Sequence, residues 1–192
     1  MGQLLSSSAP RRGIVCPDGK WRKLVLCGPA AAGKTHAANA LAARGYKVAL
    51  SVTTRQQRPS EEHDVDYHFV SDAAFDRMEP QLYESVTHGV SRYGITRDTF
   101  ENSDVLVMNP DGIRNICEHG DRDRVWVVYL DPPETKRHAR LIEREWTAPE
   151  IEARDAADTA MFKSFTDYNV KVSVSEFDIV DVTQHAVMPV PR

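Results

Sequence analysis

The sequence predicts an α/β fold, a parallel β-sheet flanked by helices, and three observations predict it. Short, almost wholly apolar runs (KLVLC at Lys23–Cys27, DVLVM at Asp104–Met108, RVWVVYL at Arg124–Leu130) suit strands buried on both faces. Helix-favouring stretches separate them, so strands and helices alternate. One segment, Ser51–Thr99, breaks the alternation with charges, hydroxyls and turn residues between strand-forming ones, and predicts a small mixed or antiparallel β insertion.

Residues 1–22, with much Ser, Pro and Arg, read as a flexible leader before a single domain over 23–192. The start, MGQLLS, fits the short M-G-x-x-x-[ST] acylation pattern at Gly2 and Ser6, but only Arg11–Arg12 follow as a basic flank, so an unmodified leader and no membrane attachment are expected. After the Lys23–Cys27 strand, Ala-rich Thr35–Arg44 reads as a helix stopped by Gly45, and Lys47–Val52 as a strand. Within the insertion, 52–99, Asp72–Met78 reads as a short helix and Leu82–Val86 as a strand. Asp111–His119 is the helix between the second and third apolar runs. Glu134–Trp146 and Pro149–Phe165 read as helices, Pro149 suiting a first turn, with a helical lid over 134–155. Val170–Val174 and Ile179–Val182 close the pattern with strand-like pieces.

At 192 residues, with 41% apolar and 27% charged side chains, the chain can bury one core and keep a soluble surface. A net charge of −4 supplies no general field for nucleic acid, so an anionic partner must meet a local basic site. No apolar run reaches the roughly 18–20 residues of a membrane span. Three scattered cysteines, Cys16, Cys27 and Cys117, fit neither a disulfide framework nor a zinc pattern, and a cytoplasmic monomer or homodimer is expected. The histidines, including His36, His63 and His68, show no acid–base or metal spacing and read as structural or surface groups.

The sharpest signal is Gly28-Pro29-Ala30-Ala31-Ala32-Gly33-Lys34-Thr35, which matches G-x-x-x-x-G-K-[ST] between a predicted strand and a predicted helix. Such a loop curls backbone N–H groups round a phosphate, adds the positive end of a helix, brings Lys34 to the β and γ oxygens and offers the Thr35 hydroxyl to Mg²⁺. It therefore predicts a nucleoside triphosphate site in a P-loop NTPase-type sheet.

Shortly after it comes TTRQQRPSEEHDVDYHFVS, and then YES and SRYGIT. A monophosphate dianion needs several donors, and Arg55 and Arg58 with the hydroxyls of Tyr67 and Tyr93 can supply them. The rival reading is a surface ion-pair cluster of the arginines with Glu61, Glu62, Asp64 and Asp66. Arg137, Arg140 and Arg144, spaced three and four apart, share one face of a helix, with Arg154 across a short polar turn.

These motifs, over roughly 23–174, resemble those of guanylate kinases. The resemblance implies an ATP- and Mg²⁺-dependent kinase that transfers the γ-phosphate to GMP or dGMP. It implies Arg55, Arg58, Tyr67 and Tyr93 as monophosphate ligands, Glu84 as the carboxylate that accepts from guanine N1–H and N2–H₂, and Ser51 at the O6 edge. Arg140, Arg144 and Arg154 match the family's lid arginines, which with Lys34 would offset charge on the migrating group. The chain departs from the family pattern in places. Ile95 stands where a hydroxyl residue is usual, with Thr96 next to it, and Val107 and Asn109 replace two aspartates, with Asp111 two positions on as a substitute carboxylate. Ser173 replaces an adenine-contacting asparagine. Other readings are a kinase of the same type for another or modified nucleoside monophosphate, a ribose-bisphosphate phosphokinase, and a non-catalytic protein-binding module.

Overall fold

The computed structural model describes residues 14–59 and 61–173. A short strand, β1 (Ile14–Val15), pairs antiparallel with β2 (Trp21–Cys27), and β2 pairs in parallel with both β7 (Val105–Val107) and β8 (Val125–Leu130). β9 (Val170–Val172) joins β8 in parallel at the far side. The β1–β2 hairpin corrects the predicted leader boundary at 22. Ile14 and Cys16 are buried, Gly19 turns the chain, and an Asp18–Arg22 ion pair at 2.7 Å closes the turn.

Alternation along β2 divides the interior. Leu24 and Leu26 face α1 (Lys34–Ala43), packing with Ala37, Ala38 and Leu41. Val25 and Cys27 face the other way, against Ile113 and Ile116 of α4 (Pro110–Glu118). β7 repeats the rule: Val105 joins the first core and Leu106 the second. All four β2 residues from Leu24 to Cys27 are fully buried, which explains why their sequence is continuously apolar. The three cysteines are unpaired.

The insertion forms a second, mixed sheet in the order β4–β3–β6–β5. β3 (Val52–Thr53) runs parallel to β4 (His68–Phe69) and antiparallel to β6 (Ser91–Thr96), which pairs with β5 (Leu82–His88). Between Leu82 and Glu84 the register shifts by one residue, a bulge beside Tyr83. The predicted strand at Lys47–Val52 is reduced to one bridge, Val48 to Val105, because the chain leaves the main sheet there and enters β3. α2 (Asp72–Met78) and α3 (Arg97–Asn102) flank this sheet.

α5 (Glu134–Ile142) and α6 (Ala148–Phe162) cover the segment 134–155 expected to act as a lid, α6 running past its end. α5 stops four residues before its predicted end at Trp146, and Glu145 there adopts φ 63°. α6 begins with a capping box, Thr147 and Glu150, and Pro149 in its first turn. The predicted strand at 179–182 and the acylation pattern at Gly2 lie outside the described residues. Among the described residues no helix is long and apolar enough to cross a membrane.

Candidate functional site

The loop between β2 and α1 has the form its sequence predicts. A Cβ on Gly28 would stand 2.3 Å from the Leu130 carbonyl oxygen, so only glycine lets the loop pass the end of β8. Ala31 (φ 55°) and Gly33 (φ 101°) take left-handed conformations that turn successive N–H groups to one side. No side chain caps the start of α1 and its first turn holds no acid, which leaves the positive helix end for an anion. Lys34 Nζ donates to the carbonyls of Gly28 (2.6 Å) and Pro29 (2.8 Å), and desolvation pushes its ammonium down to about 8.

This loop opens into a cavity of about 580 Å³ lined by every residue predicted for the site except Pro29. The size suits a nucleotide-scale ligand. On the far wall, Arg55 Nη2 meets both oxygens of Glu61 at 2.7 and 2.9 Å, and its guanidinium lies 5.4 Å from the centre of the Tyr67 ring. Glu61 also accepts from the Arg58 backbone N–H at 2.9 Å and lies 3.4 Å from Arg58 Nη1. Tyr67 and Tyr93 meet edge to face with centroids 6.1 Å apart. Of the four acids in this stretch, Glu61 is the one paired with both arginines and holds them side by side, while Arg55 Nη1 donates to the Gln56 carbonyl at 2.8 Å.

Glu84 stands at the end of the cavity away from the loop, 6% exposed, just after the bulge. Burial, then Asp111, pushes its carboxyl up to about 7. A Cβ on Gly112 would fall 2.7 Å from Glu84 Oε1, so the start of α4 fits against this carboxylate without room for a methyl group. Gly112→Ala should therefore leave the fold intact, since the flexible end of Glu84 can swing away, yet raise the acceptor KM about tenfold by misplacing the carboxylate. Steady-state kinetics checks this; an unchanged KM would show that Gly112 does not position Glu84.

The neighbouring departures take definite roles. Ile95 is 2% exposed and belongs to the second core while also lining the cavity. Thr96 is not among the residues lining the cavity; its Oγ1 caps α3 by accepting from Thr99 N–H at 3.0 Å and also meets the Thr99 hydroxyl at 2.9 Å. Asn109 lines the cavity, but its carbonyl caps α4 by accepting from Gly112 N–H at 2.9 Å, leaving the amide NH₂ for a ligand. Asp111 is not among the residues lining the cavity; it pairs with Arg114 at 2.8 Å, though its charge is felt at Glu84.

The lid brings Arg140, Arg144 and Arg154 into the cavity but not Arg137. Arg140 donates to the Ala31 carbonyl at 2.9 Å. Arg144 is held below the usual guanidinium range by burial and by its neighbours Arg58 and Arg140, a cationic cluster that an anion would relieve. Arg137 is buried and pairs with Asp155 at 2.9 Å, joining α5 to α6, so the expected common arginine face does not form.

Four residues escaped the sequence reading: Gly112, Glu61 as the arginine clamp, and His88 and Asp158 around Arg154. Arg154 contacts His88 Nε2 at the end of β5, and Asp158, 3% exposed, accepts from the Ala30 backbone N–H at 2.7 Å. Two further clusters gather metal-type side chains: His63, Asp64 and His68, and Glu134, His138 and Asp155. In the first, the Phe69 N–H donates to His63 Nδ1 at 3.3 Å, which places the ring proton on Nε2, facing Asp64. In the second, Asp155 is already bound by Arg137 and His138. Both read as hydrogen-bonded structural groups.

The guanylate kinase family model matches residues 20–185. Among curated relatives, the guanylate kinase of Streptomyces kasugaensis is 34% identical, the match covering 81% of this chain and 81% of the relative. That of Rhodopseudomonas palustris (strain BisB18) is 29% identical over 96% of this chain and 90% of its own. The crystal structure of guanylate kinase from Anaplasma phagocytophilum shares the fold, with TM-score 0.64 at 23% identity, covering 85% of this chain and 80% of that one.

Proposed function

The chain belongs to the guanylate kinase family, and we propose that its cavity transfers the γ-phosphate of ATP to GMP or dGMP. The carrying observation is that a phosphate loop, an arginine–tyrosine cup and a buried carboxylate line one continuous cavity. Two anion sites in one cavity suit two nucleotides meeting phosphate to phosphate.

In this reading the N–H groups of 28–33 and Lys34 hold the donor's β- and γ-phosphates. Arg55, Arg58, Tyr67 and Tyr93 hold the acceptor phosphate, and Glu84 accepts from the guanine N1–H and N2–H₂ while Ser51 lies at the O6 edge. Thr35, exposed at the loop end of α1 and lining the cavity, fits an Mg²⁺ ligand set of hydroxyl and phosphate oxygens. When bound, that ion supplies charge neutralisation on the triphosphate. Arg140, Arg144 and Arg154 line the same cavity, and in this reading they offset charge on the migrating group and exclude water.

Ile95 and Asn109 favour a second reading, a kinase of the same type for another or modified base. The wall there offers a hydrocarbon and an amide NH₂, where guanine's donors ask for acceptors. Coupled ADP release with a panel of ribo- and deoxynucleoside monophosphates separates the two. Turnover confined to GMP and dGMP is expected. Preference for another base carries the second reading instead, and no turnover with any acceptor would leave a binding module.

A further inference from the structure

Asp158 lies on the lid helix α6, yet its carboxylate sits in the phosphate loop. Oδ2 accepts the Ala30 N–H at 2.7 Å, a bond spanning 128 positions of sequence. The side chain is 3% exposed, and Oδ1 lies 2.9 Å from Arg154 Nη2 without hydrogen-bond geometry. A buried carboxylate with one oxygen short of a hydrogen bond is costly to keep unless the loop's positive end and the arginine hold it. The left-handed turn at Ala31 makes this loop an anion nest, and the anion now in it belongs to the protein itself.

The second half of the contact lies at Arg154. Its guanidinium reaches His88 of β5, so one lid residue touches the acceptor lobe while its neighbour one helical turn on, Asp158, touches the donor loop. Arg140 adds a third tie, to the Ala31 carbonyl. These three contacts tie the lid helices to the phosphate loop and to β5 through groups that a nucleotide phosphate would have to displace.

We propose that Asp158 is a donor-site residue that competes with the triphosphate for the Ala30 N–H, so that nucleotide entry expels it and frees Arg154 for the phosphoryl group. This rests on the reading of the loop as the ATP site. One N–H cannot serve a carboxylate and a phosphate oxygen together, and two anions in one nest repel. A site that is closed most of the time also shows an apparent dissociation constant equal to the intrinsic one divided by the open fraction. Removing the carboxylate therefore tightens donor binding, whereas loss of a merely structural contact would weaken it.

The experiment is calorimetric titration of Mg·ATP, and of tripolyphosphate as a base-free probe, into the full chain and its Asp158→Asn and Asp158→Ala variants. Both variants are expected to bind both probes about tenfold more tightly, with GMP affinity changed by less than about twofold. Thermal unfolding establishes that each variant folds. Unchanged or weaker binding of ATP in a folded variant overturns the proposal while leaving the kinase reading intact. No ATP binding by any of the three proteins overturns both. Should neither variant fold, stopped-flow binding to the unaltered protein decides: a rate that levels off as ATP rises supports an opening step before binding, and a rate that climbs linearly overturns it.

Discussion

Lys34→Ala is expected to lower kcat about 10³-fold while leaving a folded protein. The ammonium is held by the Gly28 and Pro29 carbonyls, and under the proposed function it moves onto the triphosphate and offsets charge developing there. A pH signature accompanies the loss. Desolvation brings the Lys34 ammonium down to about 8, against 10.5 ordinarily. A bound triphosphate raises it again, so above pH 8 binding takes up a proton. Donor affinity should then be flat below pH 8 and fall with rising pH above it, approaching about tenfold per unit. The alanine variant has no such slope. Donor titrations from pH 7 to 9.5 check this, and equal slopes in the two proteins would remove Lys34 from the donor site.

Glu84→Gln is the second large effect, and it runs in opposite directions for activity and stability. Guanine's two donors lose a carboxylate and meet an amide, so kcat/KM with GMP should fall about 10²-fold. The carboxyl, pushed up to about 7 from 4.5, binds an extra proton in the folded state between those values. A folded-state pKa raised above the unfolded one contributes stability present below pH 4.5 and lost as pH rises through 7. At about 1.4 kcal/mol per unit, the ionised carboxylate leaves the fold up to about 3 kcal/mol less stable at pH 8 than at pH 4. The glutamine variant should recover much of that at pH 8 and gain nothing at pH 4. For the parent enzyme the acceptor KM should rise as pH falls below 7, because the binding form is the ionised one. Denaturant melts at the two pH values test the stability half; a variant no more stable at pH 8 would mean Glu84 ionises freely.

Much of this was legible in the residues because it is local. The phosphate loop is eight consecutive positions, the arginine–tyrosine motif is one segment, and the two-faced burial of β2 shows as a run of apolar residues. What escaped depends on partners distant in sequence. Nothing near Asp158 points to Ala30, and nothing near Gly112 points to Glu84, since each contact exists only once the lid and α4 have docked. Strands of two residues such as β3 and β4 are too short to show a period, so the mixed pairing of the insertion was not written in any pattern. Lys47–Val52 reads as one strand because nothing in its residues marks the point where the chain leaves the main sheet for β3. Asn109 aligns with a family ligand and lines the cavity, and its second task, capping α4, follows from Pro110 and the helix that begins there.

The second core has a consequence for how base preference can change. Ile95 and Tyr83 of the insertion share that core with Val25, Val127 and Ile113 of the main sheet and its helix. The cavity wall at Ile95 is therefore part of the domain's core, whereas Arg55 and Arg58 stand on the turn between β3 and β4. Restoring a hydroxyl at position 95 would place a polar group at a site 2% exposed to solvent, with desolvation to be met by a partner or taken from stability. Under the proposed function, any change of base choice made at position 95 must also be one that the folding equilibrium tolerates.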